Sequence, residues 1–316
     1  MIEVKNLTKK YGSHIAVEDL TFHVKKGEIY GFLGPNGAGK STTMNLLTGY
    51  LGATHGKITI NGFDVEKKSK EAKRSIGYLP EIPPLYQDMT VKEYMIFVSQ
   101  LKGIGKKERK DSIEEAMKMT GIAHVEERLI RNLSKGYKQR IGLAQAILGF
   151  PQILILDEPM VGLDPKQMME MRDLIRSLGK KHTIILSSHI LSEISALCDH
   201  IMIISKGRLV ASDTPEELGR KMQGAITLTL TIKGKEERVQ TIFSSMPELK
   251  DVKVEKAKEG QCNVTAAYKE EKEDVREKVF EKMALENMPI LEMQSSKLSL
   301  EDVFLELTSE EKEGQS

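Results

Sequence analysis

The chain contains 316 residues, of which 40% are hydrophobic, and this length favours two domains over one. Its 47 Lys and Arg residues almost balance its 46 Asp and Glu residues, so the formal net charge is only +1. That balance argues against a general nucleic-acid binder, because such proteins usually carry a strong positive charge. The two cysteines, Cys198 and Cys262, have no metal-site spacing and imply no disulfide framework, which favours a reducing cytoplasm.

No targeting or membrane-spanning segment is predicted. The N-terminal stretch MIEVKNLTKKYG carries lysines but lacks the apolar core of a signal peptide. The most apolar stretches are interrupted by Asp, Glu, His or Lys well before the roughly 18 residues that a membrane span needs. We therefore expect a cytoplasmic protein, so any work at a membrane would depend on another chain that crosses it.

Residues 1–218 alternate predicted strands with predicted helices, which is the pattern of an α/β domain with a mainly parallel sheet. The stretch from about 85 to 145 is helical and charged in character, and we interpret it as a helical insert. Short apolar runs are typical of buried parallel strands. They occur as EIYGFLG (28–34), ILILD (153–157) and TIILSS (183–188).

A glycine-rich motif follows the first of these runs. The sequence GPNGAGKS (34–41) matches the phosphate-binding pattern G-x-x-x-x-G-K-[ST] and lies between a predicted strand and the predicted helix STTMNLLTG. Glycines let successive amides face a phosphate, Lys40 would reach the β- and γ-phosphates, and Ser41 would offer its hydroxyl to Mg²⁺. The alternative, a glycine-rich turn with an unrelated lysine, is disfavoured by this placement. The predicted ATP-binding residues are Gly34, Pro35, Asn36, Gly37, Ala38, Gly39, Lys40, Ser41 and Thr42.

Two acidic residues follow the apolar run within ILILDEP (153–159). If that strand emerges beside the phosphate loop, Asp157 would lie near Mg²⁺ and Glu158 would polarise the water that attacks the γ-phosphate. Without a phosphate loop, the same pair would be two solvated carboxylates. His189, at the end of TIILSSH, has two interpretations: contact with the γ-phosphate or the attacking water, or a cap on the next helix.

Two further features carry less information by themselves. Tyr11, in KKYG before the predicted strands, would either stack on adenine or pack on the surface. The segment LSKGYKQR (133–140) begins a predicted helix with Ser134 as N-cap and Gly136 in the first turn. The free amides at such a helix start favour an anion.

Together these motifs resemble the ATP-binding-cassette (ABC) ATPase family over about residues 1–218. In that family two cassettes meet head to tail, and the resemblance implies that Ser134, Lys135 and Gly136 of one copy contact the γ-phosphate of ATP held by the other. Asp164, in a turn, would lie at the dimer contact, with an ordinary Asp-Pro turn as the alternative. The resemblance rests on GPNGAGKS (34–41), LSKGYKQR (133–140), ILILDEP (153–159), GLDP (162–165) and SSH (187–189).

Departures from the family pattern affect three positions of interest. The usual run is Leu-Ser-Gly-Gly-Gln, whereas here Lys135 and Tyr137 replace a glycine and the glutamine. A lysine beside a triphosphate is electrostatically tolerable, so we expect function to survive. At the end of IGYLPE (76–81), Glu81 stands where the family usually has a glutamine that contacts Mg²⁺ and communicates with the transporter. A carboxylate also binds Mg²⁺, and the alternative is a surface acid.

The pattern changes near residue 219, and residues 219–316 are interpreted as an α+β accessory domain. AITLTLTI (225–232) alternates apolar residues with threonine, as a half-exposed strand does. The predicted order strand-helix-strand-strand-helix-strand fits a small ferredoxin-like fold. A last amphipathic helix is predicted from Ser299, and the tail EEKEGQS is predicted to be disordered.

The leading hypothesis is an ATP-binding and ATP-hydrolysing subunit of an ABC transporter of the exporter-type branch, using ATP and Mg²⁺. Two cassettes, identical or different, would close on ATP and drive separate membrane permease subunits from the inner face of the cell membrane; no nucleic-acid partner is expected. A second hypothesis is a soluble ABC ATPase acting on ribosomes or DNA, although the chain has one cassette and no visible long coiled coil. A third is a nucleotide-gated binding module with little turnover, motivated by the altered residues of LSKGYKQR (133–140), which we call the signature segment.

Overall fold

The chain divides into two compact units, Met1–Pro215 and Glu216–Ser316. The helix predicted from Ser299 and the predicted disordered tail lie outside the described residues. The structure is a computed structural model, and it describes residues 1–221, 226–258, 260–268 and 274–297.

The first unit contains two β-sheets. Its strands, all within the described part of the chain, are β1 Ile2–Tyr11, β2 His14–Val24, β3 Ile29–Leu33, β4 His55–Ile60, β5 Phe63–Asp64, β6 Ile76–Leu79, β7 Ile153–Leu156, β8 Thr183–Ser188, β9 His200–Ser205 and β10 Arg208–Asp213. The larger sheet has the order β10-β9-β3-β8-β7-β6 and is parallel except for β10, which confirms the predicted α/β class. The smaller sheet, β2-β1-β4-β5, is antiparallel and was not predicted.

Helices cover the larger sheet and form the insert. In the first unit they are α1 Lys40–Leu47, α2 Ser69–Arg74, α3 Val91–Leu101, α4 Lys106–Met119, α5 Lys135–Ile147, α6 Pro165–Gly179 and α7 Leu191–Ser195. The strands β7 and β8 are buried along their whole length, and a strand covered on both faces needs apolar side chains throughout. This requirement explains the unbroken apolar runs that the sequence shows.

The order of the larger sheet determines which loops lie together. Because β3, β7 and β8 are parallel, their carboxyl ends share one edge, and the segments after them carry the glycine-rich motif, the acidic pair and His189. The acidic strand β7 is not the direct neighbour of β3, because β8 lies between them. The acidic pair therefore reaches the loop from one strand further away.

The helical insert contains α3, α4 and α5, connected through short 3₁₀ turns at Ala123–Val125 and Ile130–Asn132. Arg140 on α5 fixes this segment in two directions. Its guanidinium donates to the carbonyl of Thr120 at 3.1 Å and to Glu170 Oε2 on α6 at 2.7 Å. These bonds hold α5 against both the end of α4 and the body of the first unit.

The second unit has an antiparallel sheet of order β12-β13-β11-β14. The order of elements and this sheet match the predicted ferredoxin-like arrangement. In β11 alternate residues from Ile226 to Ile232 are buried, as the sequence pattern predicted. The elements from the boundary onward are α8 Pro215–Lys221, β11 Ile226–Lys233, α9 Glu236–Ser244, β12 Leu249–Lys256, β13 Gln261–Tyr268, α10 Val275–Leu285 and β14 Ile290–Lys297.

Candidate nucleotide site

The glycine-rich loop connects β3 to α1, as the sequence predicted. Gly39, the residue before α1, has a φ of 102°, which L side chains rarely adopt. A Cβ at this position would also lie 2.5 Å from the carbonyl oxygen of Ala16. Glycine is therefore required here, and the turn it makes places Lys40 and Ser41 in the first turn of α1.

Lys40 is a buried cation that the loop itself surrounds. Its Nζ donates to the carbonyl oxygens of Gly34 at 2.8 Å and Pro35 at 3.2 Å. It also lies 3.3 Å from Glu158 Oε1, and the two side chains are only 6% and 9% exposed. The ammonium is thus fixed at the helix start by two carbonyls and one carboxylate, which together pair a buried cation.

Asp157 is hydrogen-bonded by two serines. Ser41 Oγ donates to its Oδ1 at 3.2 Å, and Ser187 Oγ on β8 donates to the same atom at 2.6 Å. Burial raises the pKa of Asp157, while the hydrogen bonds from Ser187 and Ser41 oppose that rise. The Asp157 carboxylate and the Ser41 hydroxyl lie side by side, and both are oxygen ligands of the kind that Mg²⁺ prefers.

A magnesium ion would need more oxygens than these two side chains supply. Within the described ranges, no group of three or more His, Cys, Asp or Glu side chains is arranged to hold a metal ion. The donor set of Ser41 and Asp157 fits Mg²⁺ whose remaining ligands come from phosphate and water, which is its usual mode of binding.

Glu158, the second residue of the acidic pair, is hydrogen-bonded to His189. His189 Nδ1 lies 3.0 Å from Glu158 Oε2 and shares a hydrogen bond with it, while the Glu158 amide donates to Ser187 Oγ at 2.8 Å. Glu158 has a φ of 47°, so its backbone occupies the uncommon left-handed region that often marks functional sites. The alternative for His189 as a helix cap is wrong, because Ile190 is the N-cap of α7.

A cleft of about 520 Å³ opens over these groups. Tyr11 is the last residue of β1, so the prediction that it precedes the strands is wrong. Its side chain is about half exposed, and Lys9 Nζ lies 5.2 Å from the centre of its ring. Gly34, Pro35, Ala38 and Asp157 are not part of the lining. The lining consists of Tyr11, His14, Ala16, Asn36, Gly37, Gly39, Lys40, Ser41, Thr42, Glu81, Glu158, Val161 and His189.

The signature residues lie in a different cleft of about 340 Å³, which we call the signature cleft. Ser134 is the N-cap of α5 and accepts from the Tyr137 amide at 3.5 Å. Gly136 packs on α6, where a Cβ would lie 2.5 Å from Gln167 Oε1. Asp164 caps α6 by accepting from the Gln167 amide at 2.8 Å. The cleft is lined by Gly121, His124, Ser134, Gly136, Tyr137, Arg140, Asp164, Lys166, Gln167 and Glu170.

Lys135 does not line the signature cleft. Its ammonium lies against Gly162, where an added Cβ would be 2.1 Å from it. The sequence analysis missed two residues. Ser187 is hydrogen-bonded to both Asp157 and Glu158 in the nucleotide site, and His124 contacts Tyr137 in the signature cleft. Ser187 belongs to the motif SSH, so the motif itself contained the missing signal, whereas no motif contains His124.

Comparisons with known proteins agree with this architecture. The family model described as "ABC transporter" matches residues 17–161. Bacitracin transport ATP-binding protein BcrA of Bacillus licheniformis is 46% identical over 212 residues, covering 66% of this chain and 68% of that protein. Linearmycin resistance ATP-binding protein LnrL of Bacillus subtilis (strain 168) is 32% identical over 309 residues, covering 98% of each. A solved structure of an ATP-binding subunit of an ABC transporter superimposes with a TM-score of 0.64 at 31% identity, covering 70% of this chain and 92% of that one.

The fold and the phosphate loop define a P-loop ATPase of the ABC cassette class, followed by a small α+β domain. The chain belongs to the family of ATP-binding proteins of ABC transporters, whose cassettes bind and hydrolyse ATP for transport. Among the described residues, no helix has the length and apolar character needed to cross a bilayer.

Proposed function

We propose that the chain binds MgATP in the cleft beside the phosphate loop and hydrolyses it between two cassettes. The observation that carries this proposal is the convergence of Lys40, Ser41, Asp157, Glu158 and His189 at one sheet edge, although they come from three separate parts of the chain. These residue types together supply a cation, a metal ligand set and a base, which phosphoryl transfer needs.

The proposed roles follow from the contacts. Lys40 and backbone N–H groups among residues 36–42 would hold the phosphates, and Ser41 and Asp157 would hold Mg²⁺, which would neutralise phosphate charge. Glu158 accepts a proton from the water that attacks the γ-phosphorus, as the bond from that phosphorus to the bridging oxygen breaks. His189 orients the Glu158 carboxylate through their hydrogen bond. Tyr11, at the rim of the cleft, offers its ring to adenine.

The position of the signature cleft favours a second cassette, identical or different, as the partner. Ser134 and Gly136 lie away from the phosphate loop of their own chain, in a different cleft. We infer that they face the γ-phosphate held by the opposite cassette, with the charge of Lys135 close by and Asp164 at the dimer contact. An anion at the start of α5 would satisfy amides that the helix leaves free.

The membrane partner would dock beside Glu81. A groove of about 720 Å³ runs from Ser41 and Asp157 past Glu81 to α5 and the C-cap of α3 in the insert. Tyr50 and Ile82 line it and are 78% and 82% exposed, which is unusual for apolar side chains of this size. We propose that permease subunits at the inner face of the cell membrane cover this groove. The relatives named for bacitracin transport and linearmycin resistance favour an exporter-type role.

Glu158→Gln tests the proposal. The amide still accepts from Lys40 but cannot take a proton, so we expect ATP to stay bound, hydrolysis to fall at least about 100-fold, and dimers to accumulate in sedimentation velocity. Lys40→Ala is the matched control, because loss of the phosphate-binding cation should remove both ATP binding and the dimer. Wild-type turnover in Glu158→Gln would exclude Glu158 as the base. A Glu158→Gln chain that binds ATP and stays monomeric, even with its permease, would instead favour a nucleotide-gated binding module.

A further inference from the structure

Tyr137, which replaces the glutamine usual in the family, is held by a residue outside the signature segment. Its hydroxyl lies 2.9 Å from His124 Nε2, and the two groups share a hydrogen bond. Their ring centres are 5.6 Å apart with the planes at 66°, an edge-to-face arrangement that aromatic pairs favour. His124 belongs to the 3₁₀ turn Ala123–Val125, so this contact joins that turn to the start of α5.

The position of Tyr137 affects the helix start directly. Its backbone amide provides the capping hydrogen bond to Ser134 Oγ, and at 3.5 Å this bond is at the outer limit of length. A weak cap offers little resistance to movement of the first turn. The side chain of Tyr137 also lines the signature cleft together with Ser134 and Gly136. A ring released from His124 could therefore rotate into the space that a partner's phosphate would need.

We infer that His124 is a positioning residue for ATP-dependent association of two cassettes. It holds the Tyr137 ring at the wall of the signature cleft, which keeps the start of α5 open to an anion from the opposite copy. This inference rests on the proposed function, since it assumes that the signature cleft faces a partner's nucleotide. His124 takes no part in chemistry and acts only through Tyr137.

The test compares dimer dissociation constants in the Glu158→Gln chain with ATP, measured by sedimentation. Releasing one hydrogen-bonded ring should weaken each signature contact about threefold to fivefold, which is the effect of an ordinary hydrogen bond. A symmetric dimer contains two such contacts, so His124→Ala should raise the dissociation constant about ninefold to twenty-fivefold. His124→Gln keeps a hydrogen-bonding group and should restore most of the association. Tyr137→Phe should behave like His124→Ala, and the double variant should be no weaker than either single variant.

Two further measurements separate positioning from a general structural role. Binding of ATP to the monomer should be unchanged in His124→Ala, because the phosphate loop is not involved, and the free energy of unfolding should fall by no more than about 1 kcal/mol, the value of one hydrogen bond. His55→Ala, an exposed histidine on β4, is the matched control and should leave association unchanged.

The inference is overturned if His124→Ala associates within twofold of the Glu158→Gln reference, if the effects of His124→Ala and Tyr137→Phe add, or if His124→Gln fails to restore association. A reference that binds ATP but never dimerises removes the proposed function and this inference together. A reference that dimerises and does not respond to His124 removes this inference alone.

Discussion

The buried pair between Lys40 and Glu158 should be visible as a coupling free energy. Lys40→Met removes the ammonium while keeping the buried alkyl chain, and it leaves Glu158 as a carboxylate that is only 9% exposed. Loss of one partner from a buried ion pair costs about 3–5 kcal/mol. Glu158 keeps its hydrogen bond to His189 and borders an open cleft, so the lower part of that range, about 3 kcal/mol, is expected.

Glu158→Gln should cost far less, because the amide oxygen can still accept from Lys40. We expect a loss of about 1 kcal/mol in the free energy of unfolding, the value of an ordinary hydrogen bond. The double variant leaves neither charge of this pair without its partner, so its loss should be about 2 kcal/mol rather than the sum of about 4 kcal/mol. The coupling free energy between the two sites is then about 2 kcal/mol, well above the roughly 0.5 kcal/mol scatter of independent sites.

Urea unfolding of the full chain without nucleotide, followed by circular dichroism, measures these values. A chain of two compact units can show two transitions, and the one that moves to higher urea with ATP belongs to the cassette. Lys107→Met, at an exposed position on α4, is the matched control and should cost less than about 0.5 kcal/mol. Additive single losses, or a Lys40→Met chain as stable as the control, would refute the reasoning.

Other predictions concern buried groups whose pKa is shifted. Ser187→Ala should slow hydrolysis and destabilise the cassette most at neutral pH. Burial holds the pKa of Asp157 in the folded state above its value in the unfolded state, so the ionised carboxylate depends on its hydrogen-bond donors. Loss of the Ser187 donor therefore costs most above that pKa, where Asp157 is ionised, and least below it. An equal loss of unfolding free energy across pH 3–8 would contradict this sign. Cys198 and Cys262 are buried, and burial raises the pKa of both thiols. Neither should react with Ellman's reagent at pH 8 until urea unfolds the chain, and rapid labelling of the native protein would show that the thiols are accessible.

The local motifs were predictable because each is a continuous stretch with its own stereochemistry. The segment 28–41 specifies a strand, a glycine turn and a helix start, and the structure shows all three. The N-cap role of Ser134 follows from one residue type at a helix start, and it is also observed. Alternation in 225–232 identified β11 because one face of that strand is buried. In each case the pattern spans fewer than about fifteen residues, and a tertiary contact only adds to it.

Contacts between distant segments were not predictable, because they depend on strand order and register. Leu156 pairs with Leu186 across β7 and β8, and this register brings Asp157 next to Ser187. The separation of thirty residues between Asp157 and Ser187 in the sequence does not predict that register. The contact of His124 with Tyr137 likewise requires the turn after α4 to fold back on α5. The antiparallel sheet was missed because its strands were interpreted as part of one alternating α/β pattern.

The Lys40–Glu158 pair links nucleotide binding to the freeing of the proposed base. Without nucleotide the cation expected to hold the phosphates is paired with the carboxylate expected to accept a proton, and both are buried. A carboxylate carries one negative charge, whereas a triphosphate presents several charged oxygens with geometry suited to an ammonium, so the triphosphate is the stronger competitor for Lys40. Its arrival would release Glu158 Oε1 while His189 still holds Oε2. Under the proposed function, Glu158 therefore becomes available for proton transfer only when substrate occupies the phosphate loop, which restricts its activation to the loaded site.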